Sequence, residues 1–168
     1  MSKSADPSHS RRKIEAAVVV SLAKRKKTLA LAESCTGGFI AHQITNVPGA
    51  SKVFLGGIVA YSNAVKEKFL GVDPEALNRH GAVSEVVARE MAIGARKRFG
   101  ADFAIAVTGI AGPTGGTKAK PVGTVFISVA GEFGTLVERR LNSFSRQKFK
   151  ETTARQALQM LREQLDCS

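Results

Sequence analysis

Apolar residues recur at helical spacing over residues 11–26, where Ile14, Ala17, Val18 and Leu22 fall on one side, so this segment is predicted to be a helix. "TLALAE" (28–33) is a short apolar run bounded by charge and reads as a buried strand. A helix over 38–45 follows, ended by the turn chemistry of "NVPGAS" around Pro48 and Gly49. "KVFLGGIVAYS" (52–62) is rich in β-branched and aromatic residues and reads as a strand, with Gly56-Gly57 marking a bulge or a close backbone approach. "NAVKEKFLGV" predicts a short helix with Asn63 as its N-cap, and "DPEALNRHGAV" a connecting loop with one helical turn at 74–78. Ser84 then caps a helix running to about residue 99. "ADFAIAVTGIAG" (101–112) is a strand, and "TVFISVAG" and "LVERRLNSF" are two more joined by the turn "GEFGT". Phe149, Thr153, Ala157, Met160, Leu161 and Leu165 mark a closing helix over 147–165.

Strands that alternate with helices and then follow one another imply an α/β fold. The expected form is a three-layer α/β/α sandwich around a mixed, largely parallel sheet of about five or six strands. Residues 1–10 form a polar stretch, expected to be a disordered leader, and 11–168 a single domain. There is no internal repeat.

Composition refines this picture in three places. The formal charge of +11 raises the question of nucleic acid, but residues 1–27 carry eight Lys/Arg and two acids, and the remainder 17 against 12. More than half of the excess thus sits in the leader and one helix, the signature of a solvated basic face, and no nucleic-acid partner is expected. No apolar run approaches the roughly 18 residues of a membrane span, and no apolar h-region backs the basic N-terminus, so no membrane association is expected. Cys35 and Cys167 stand alone, far apart in the chain, and make neither a disulfide framework nor a metal spacing; a reducing cytoplasm is the expected compartment.

The chemistry concentrates in "AESCTGGFIA" (32–41), where Ser34 and Cys35 are adjacent candidate nucleophiles. Ser34 falls at the C-terminal end of a strand with a helix behind it, the edge where open α/β sheets bind ligands. Thr36, Gly37 and Gly38 let the backbone approach a ligand, and the first free N–H groups of the helix would hold an oxyanion or a phosphate. The stretch is equally compatible with Ser34 or Thr36 serving only as a cap. A serine needs a base. His9, His42 and His80 sit in no recognisable triad. Lys66 in "AYSNAVK", just past an apolar strand, is the alternative base if desolvated, and Tyr61, the sole tyrosine, lies five residues before it and could relay or orient the proton.

"VTGIAGPTGGTKAKPVGTV" follows a buried strand and returns to a strand, so it is neither a P-loop nor a dinucleotide fingerprint. Thr108 at the strand end could bond a ligand, and Lys118 and Lys120 could attract an anion.

Taken together, "LALAESCTGG", "GGIVAYSNAVKEKFLGV", "HGAVSE", "AVTGIAGPTGGTKAKPVGTVFISVAG" and "RQKFKETTARQAL" resemble the CinA C-terminal domain family in its stand-alone, nicotinamide-nucleotide amidohydrolase form, over residues 11–166. The resemblance implies hydrolysis of the carboxamide of nicotinamide mononucleotide to nicotinate mononucleotide and ammonia, with no metal or cofactor. Ser34 would be the nucleophile, with Lys66 and Tyr61 handling its proton. Thr36, Gly37, Gly38, Thr108, Gly109 and Gly112 would contact the substrate, with Arg146 on its phosphate. The "NSFSRQKFK" stretch departs from the family's usual pattern, since Arg146 follows Ser145 directly without a Gly-Asp step. A homodimer is expected, and the pyrophosphatase-like domain of two-domain relatives is expected to be missing. A non-catalytic binding domain associated with competence or DNA damage, and an amidase for another small amide, are the alternatives.

Overall fold

The computed structural model describes residues 13–167; the predicted leader, His9 and the first residues of the predicted first helix lie outside them. In chain order the elements are α1 (Ile14–Arg25), β1 (Leu29–Glu33), α2 (Phe39–Thr45), a 3-10 turn (Ala50–Lys52), β2 (Phe54–Val59), α3 (Asn63–Leu70), α4 (Pro74–His80), α5 (Glu85–Phe99), β3 (Phe103–Gly109), β4 (Thr124–Gly131), β5 (Gly134–Leu141) and α6 (Arg146–Asp166). The strands form one mixed sheet in the order β2-β1-β3-β4-β5, in which β2, β1 and β3 are parallel, β4 is antiparallel to β3, and β5 is antiparallel to β4.

Side-chain size alternates along the central strands and sorts the two faces. Leu29, Leu31, Phe103, Ile105 and Val107 point to the side covered by α1, α2 and α6. Ala30, Ala32, Ala104 and Ala106 point to the other, where the small side chains let α5 lie close with Val87, Met91, Ala92 and Ala95. This period of two is what a strand buried on both faces requires. Close packing continues outward: a Cβ on Gly94 of α5 would run into the backbone carbonyl of Leu70, with Leu70 C 2.8 Å away.

The Gly56-Gly57 pair does what its position in a strand suggested. The β1–β2 register passes from Leu29↔Phe54 to Ala30↔Gly56, skipping Leu55 as a bulge, and a Cβ on Gly57 would stand 3.0 Å from Leu31 Cβ. Two local expectations are corrected. Ser62, not Asn63, caps α3, its hydroxyl accepting from the Val65 N–H at 3.3 Å. Residues 74–80 form a full helix, because the Asp73 carboxylate accepts the Glu75 N–H at 2.9 Å and Pro74 suits the first helical position. No helix of the described residues is long and apolar enough to cross a membrane.

This topology makes a crevice. The chain leaves β1 through α2 on one face to reach β2, and leaves β2 through α3–α5 on the other face to reach β3. Connections from neighbouring parallel strands therefore diverge, and the space beyond their C-terminal ends is where such sheets bind ligands.

Candidate active site

A cavity of about 300 Å³ lies at that crevice. Ser34, the residue after β1, lines it, with its own N–H held by the Val107 carbonyl of β3 at 3.1 Å. Thr108, Gly109 and Gly112 line it from the end of β3 and the loop beyond, Tyr61 and Lys66 from the exit of β2 and from α3, and Arg146 from the first turn of α6. Segments more than a hundred residues apart thus converge on one hollow.

Lys66 is buried to 1% exposure, and among the described residues it makes no ion pair. Its Nζ donates to the carbonyl oxygens of Ala60 at 2.9 Å and Tyr61 at 3.4 Å, the two residues that follow β2. Loss of water pushes the ammonium below the ordinary lysine value, against a smaller opposing influence of Cys35. A neutral, proton-accepting amine is therefore more accessible here than on a surface lysine. No hydrogen bond joins it to Ser34 in the described residues, so proton transfer calls for Ser34 Oγ to rotate or for substrate to draw the groups together.

Cys35 has the opposite character. It is buried, and desolvation raises its thiol from 9.0 to about 12. A thiol held protonated across the physiological range is a poor nucleophile.

Tyr61 is placed differently from the expected proton relay. Its hydroxyl accepts a hydrogen bond from Arg146 Nη2 at 2.8 Å, while Lys66 touches only its backbone carbonyl. Arg146 Nη1 also donates to the Gly112 carbonyl at 2.8 Å, so one guanidinium ties the tyrosine to the glycine-rich loop at the cavity rim. Thr108 donates to the Ala82 carbonyl at 2.8 Å and pins the turn before Ser84 against the cavity wall, keeping its lone pairs as acceptors. Lys120 is spent in the same way on the His80 carbonyl, at 2.6 Å. His42 lies within α2 and His80 ends α4; neither lines the cavity.

The glycine turn departs from expectation. Thr36, Gly37 and Gly38 do not line the cavity. The Thr36 hydroxyl donates to the Glu33 carboxylate at 2.6 Å, Gly37 N–H goes to the Ser34 carbonyl at 3.1 Å, and Gly38 N–H goes to Glu33 at 3.1 Å. Glu33 also accepts the N–H groups of Ile40 at 3.1 Å and Ala41 at 2.8 Å. The start of α2, expected to face a ligand, is thus filled by a buried carboxylate from the preceding strand. The amide of Thr36 donates to no protein acceptor among the described residues, and that of Cys35 has only its own side chain as a partner. Glu33 escaped the sequence reading, although an acid between an apolar strand and a glycine turn is the available signal.

Comparison with known proteins places the chain. The family model for the CinA C-terminal domain matches residues 11–165. A CinA-like protein of Anaeromyxobacter sp. (strain Fw109-5) is 52% identical over 149 residues, which cover 89% of this chain and 36% of that protein. This chain spans about a third of the length of the curated relatives it matches. Among solved structures, the competence/damage inducible protein CihA from Agrobacterium tumefaciens superposes with a TM-score of 0.87 at 40% identity, covering 93% of this chain and 97% of that one. A CinA superfamily protein from Klebsiella pneumoniae gives 0.89 at 32% identity, covering 92% and 97%.

Proposed function

The chain belongs to the CinA C-terminal domain family, and on that footing we propose that it is an amidohydrolase that deamidates nicotinamide mononucleotide to nicotinate mononucleotide and ammonia. The observation that carries this reading is a lysine buried without a carboxylate partner beside the same cavity that a strand-end serine lines. In the reaction, neutral Lys66 takes the Ser34 hydroxyl proton as Oγ attacks the carboxamide carbon. The developing oxyanion is met by the amide of Cys35, which lines the cavity; the residue after a nucleophile is a common source of such a donor. Collapse expels the nitrogen, which leaves as ammonia with the proton returned by Lys66. Water then attacks the acyl-enzyme, with Lys66 again as base, and frees the acid product. Tyr61 acts with Arg146 as a paired group at the rim, and Thr108 accepts from the substrate.

The test is ammonia release from nicotinamide mononucleotide, nicotinamide riboside and nicotinamide by the purified chain. Ser34→Ala is expected to lower turnover by about 10⁴-fold or more, the scale seen when a nucleophile is removed elsewhere. Cys35→Ala is expected to stay within about tenfold of wild type. Substantial turnover by Ser34→Ala, or an inactive Cys35→Ala that still folds, ends the serine mechanism.

A further inference from the structure

A hollow of about 530 Å³ lies where the N-terminal parts of α1, α2 and α6 meet, and it shares no lining residue with the Ser34 cavity. Phe39 and Ile14 give it an apolar wall, since both pack against the core from the side. On α6 its lining residues Lys148, Glu151, Thr152 and Arg155 follow one another at three- and four-residue steps, so they share one helix face.

Two polar groups that line the hollow lack partners. Gln43 Oε1 is buried and accepts no hydrogen bond. Thr152 is only 9% exposed, and its hydroxyl is unbonded among the described residues. Buried polar atoms without a partner are rare in folded proteins because stranding them is costly, and a ligand that bonds to them removes the cost.

The charges around these groups select the kind of ligand. Lys148 and Glu151 pair with each other at 3.5 Å and cancel. Two cations, Lys13 and Arg155, and one acid, Glu15, are left, and none of the three has an ion pair or a side-chain hydrogen bond among the described residues. The mirror image of that set is a molecule with two carboxylates and one ammonium. The Arg155 fork accommodates one carboxylate and the Lys13 ammonium the other. Glu15 and Gln43 Oε1 are acceptors and suit the ammonium, which has three N–H donors. Methylenes between the charged ends would lie against Phe39 and Ile14.

We propose that this hollow is a binding site for an acidic α-amino acid, separate from the Ser34 cavity. The proposal does not rest on the amidase reading and holds whether or not any amide is hydrolysed.

The experiment is calorimetric titration of the full chain with L-glutamate, with glutarate, which lacks the ammonium, and with L-glutamine, which lacks the second carboxylate. Wild type is expected to bind L-glutamate and to bind the other two at least tenfold more weakly, the scale of one lost charge-assisted bond. Arg155→Gln should weaken L-glutamate at least tenfold, while Lys68→Gln, which removes an exposed cation of α3 outside the hollow, should change it less than twofold. Glu15→Gln should erase the advantage of L-glutamate over glutarate, a change of preference that a damaged fold cannot imitate. Absence of saturable L-glutamate binding by wild type would overturn the proposal. So would equal affinity of wild type for glutarate and L-glutamate, or equal weakening by Arg155→Gln and Lys68→Gln, since the first denies a role to Glu15 and the second reveals only a diffuse field.

Discussion

Glu33→Ala tests whether the turn bearing Ser34 is held by a buried charge. The carboxylate accepts from Thr36 Oγ1 at 2.6 Å, Ala41 N–H at 2.8 Å, and Gly38 and Ile40 N–H at 3.1 Å each. Water can reach the part-buried amides of Gly38 and Ala41 after truncation, so their loss is small. The Thr36 hydroxyl and the Ile40 amide are buried, and each stranded donor costs about 2 kcal/mol. Loss of the capping interaction at the start of α2 adds about 1 kcal/mol. The expected destabilisation is therefore about 5 kcal/mol, a large part of the roughly 5–15 kcal/mol of a typical domain. Glu33→Gln keeps one acceptor oxygen and loses the charge, and should cost about half as much. Urea unfolding followed by circular dichroism reads both, provided the m-value is unchanged between variants. A loss below about 1.5 kcal/mol for Glu33→Ala, or equal losses for the two variants, would refute the reasoning, because the first outcome removes the stranded donors and the second removes the graded acceptor count.

Ammonia release should rise with pH and level off below the ordinary lysine value of 10.5, as Lys66 becomes neutral at a pKa lowered by burial; a limb centred on the ordinary value would show that the amine is solvated. The same shift has a stability signature. The unfolded chain keeps the Lys66 proton to higher pH than the folded one, so the cost of burying it fades as pH climbs toward 10.5, while Cys35 works the other way, since its unfolded thiol ionises from about 9.0 and its folded one only near 12. Denaturant midpoints of Lys66→Met and Cys35→Ala between pH 7 and 10 should therefore diverge from wild type in opposite senses. Gly94→Ala should lower stability by about 2 kcal/mol, because overpacking against the Leu70 backbone outweighs the roughly 1 kcal/mol that alanine gains over glycine in a helix. Differential scanning calorimetry would register this as a melting temperature lower by several degrees, and an unchanged or higher one would mean that α3 gives way.

The sequence exposes those parts of the fold that depend on local chemistry. β4 spans the eight residues of "TVFISVAG", and Ser84 caps α5 as its place before Glu85 implies. Asp73-Pro74, a cap followed by a first-turn proline, marks where α4 starts but not that it runs past 78 to His80. The strand order was not, because nothing in "LALAE" tells which neighbours it will have. The site divides in the same way. Ser34 and Thr108 sit at strand ends and Lys66 in the helix that follows β2, so their residue types and positions pointed to the cavity they line. Glu33 folding back over eight residues, Arg146 choosing the Tyr61 hydroxyl, and Lys150 meeting Phe39 all depend on tertiary approach between distant segments, which periodicity does not encode.

The unequal sides of the sheet give it two distinct failure modes. Along β1 and β3, trimming Leu31 or Ile105 opens a void under α6, whereas enlarging Ala32 or Ala106 wedges α5 outward, so neighbouring codons answer to opposite limits on volume. A slipped strand would present bulky groups to the tight side and methyl groups to the roomy one, and both layers would reject it at once. The alternation that orders the interior thus also guards the alignment that delivers Ser34 and Thr108 to a common edge.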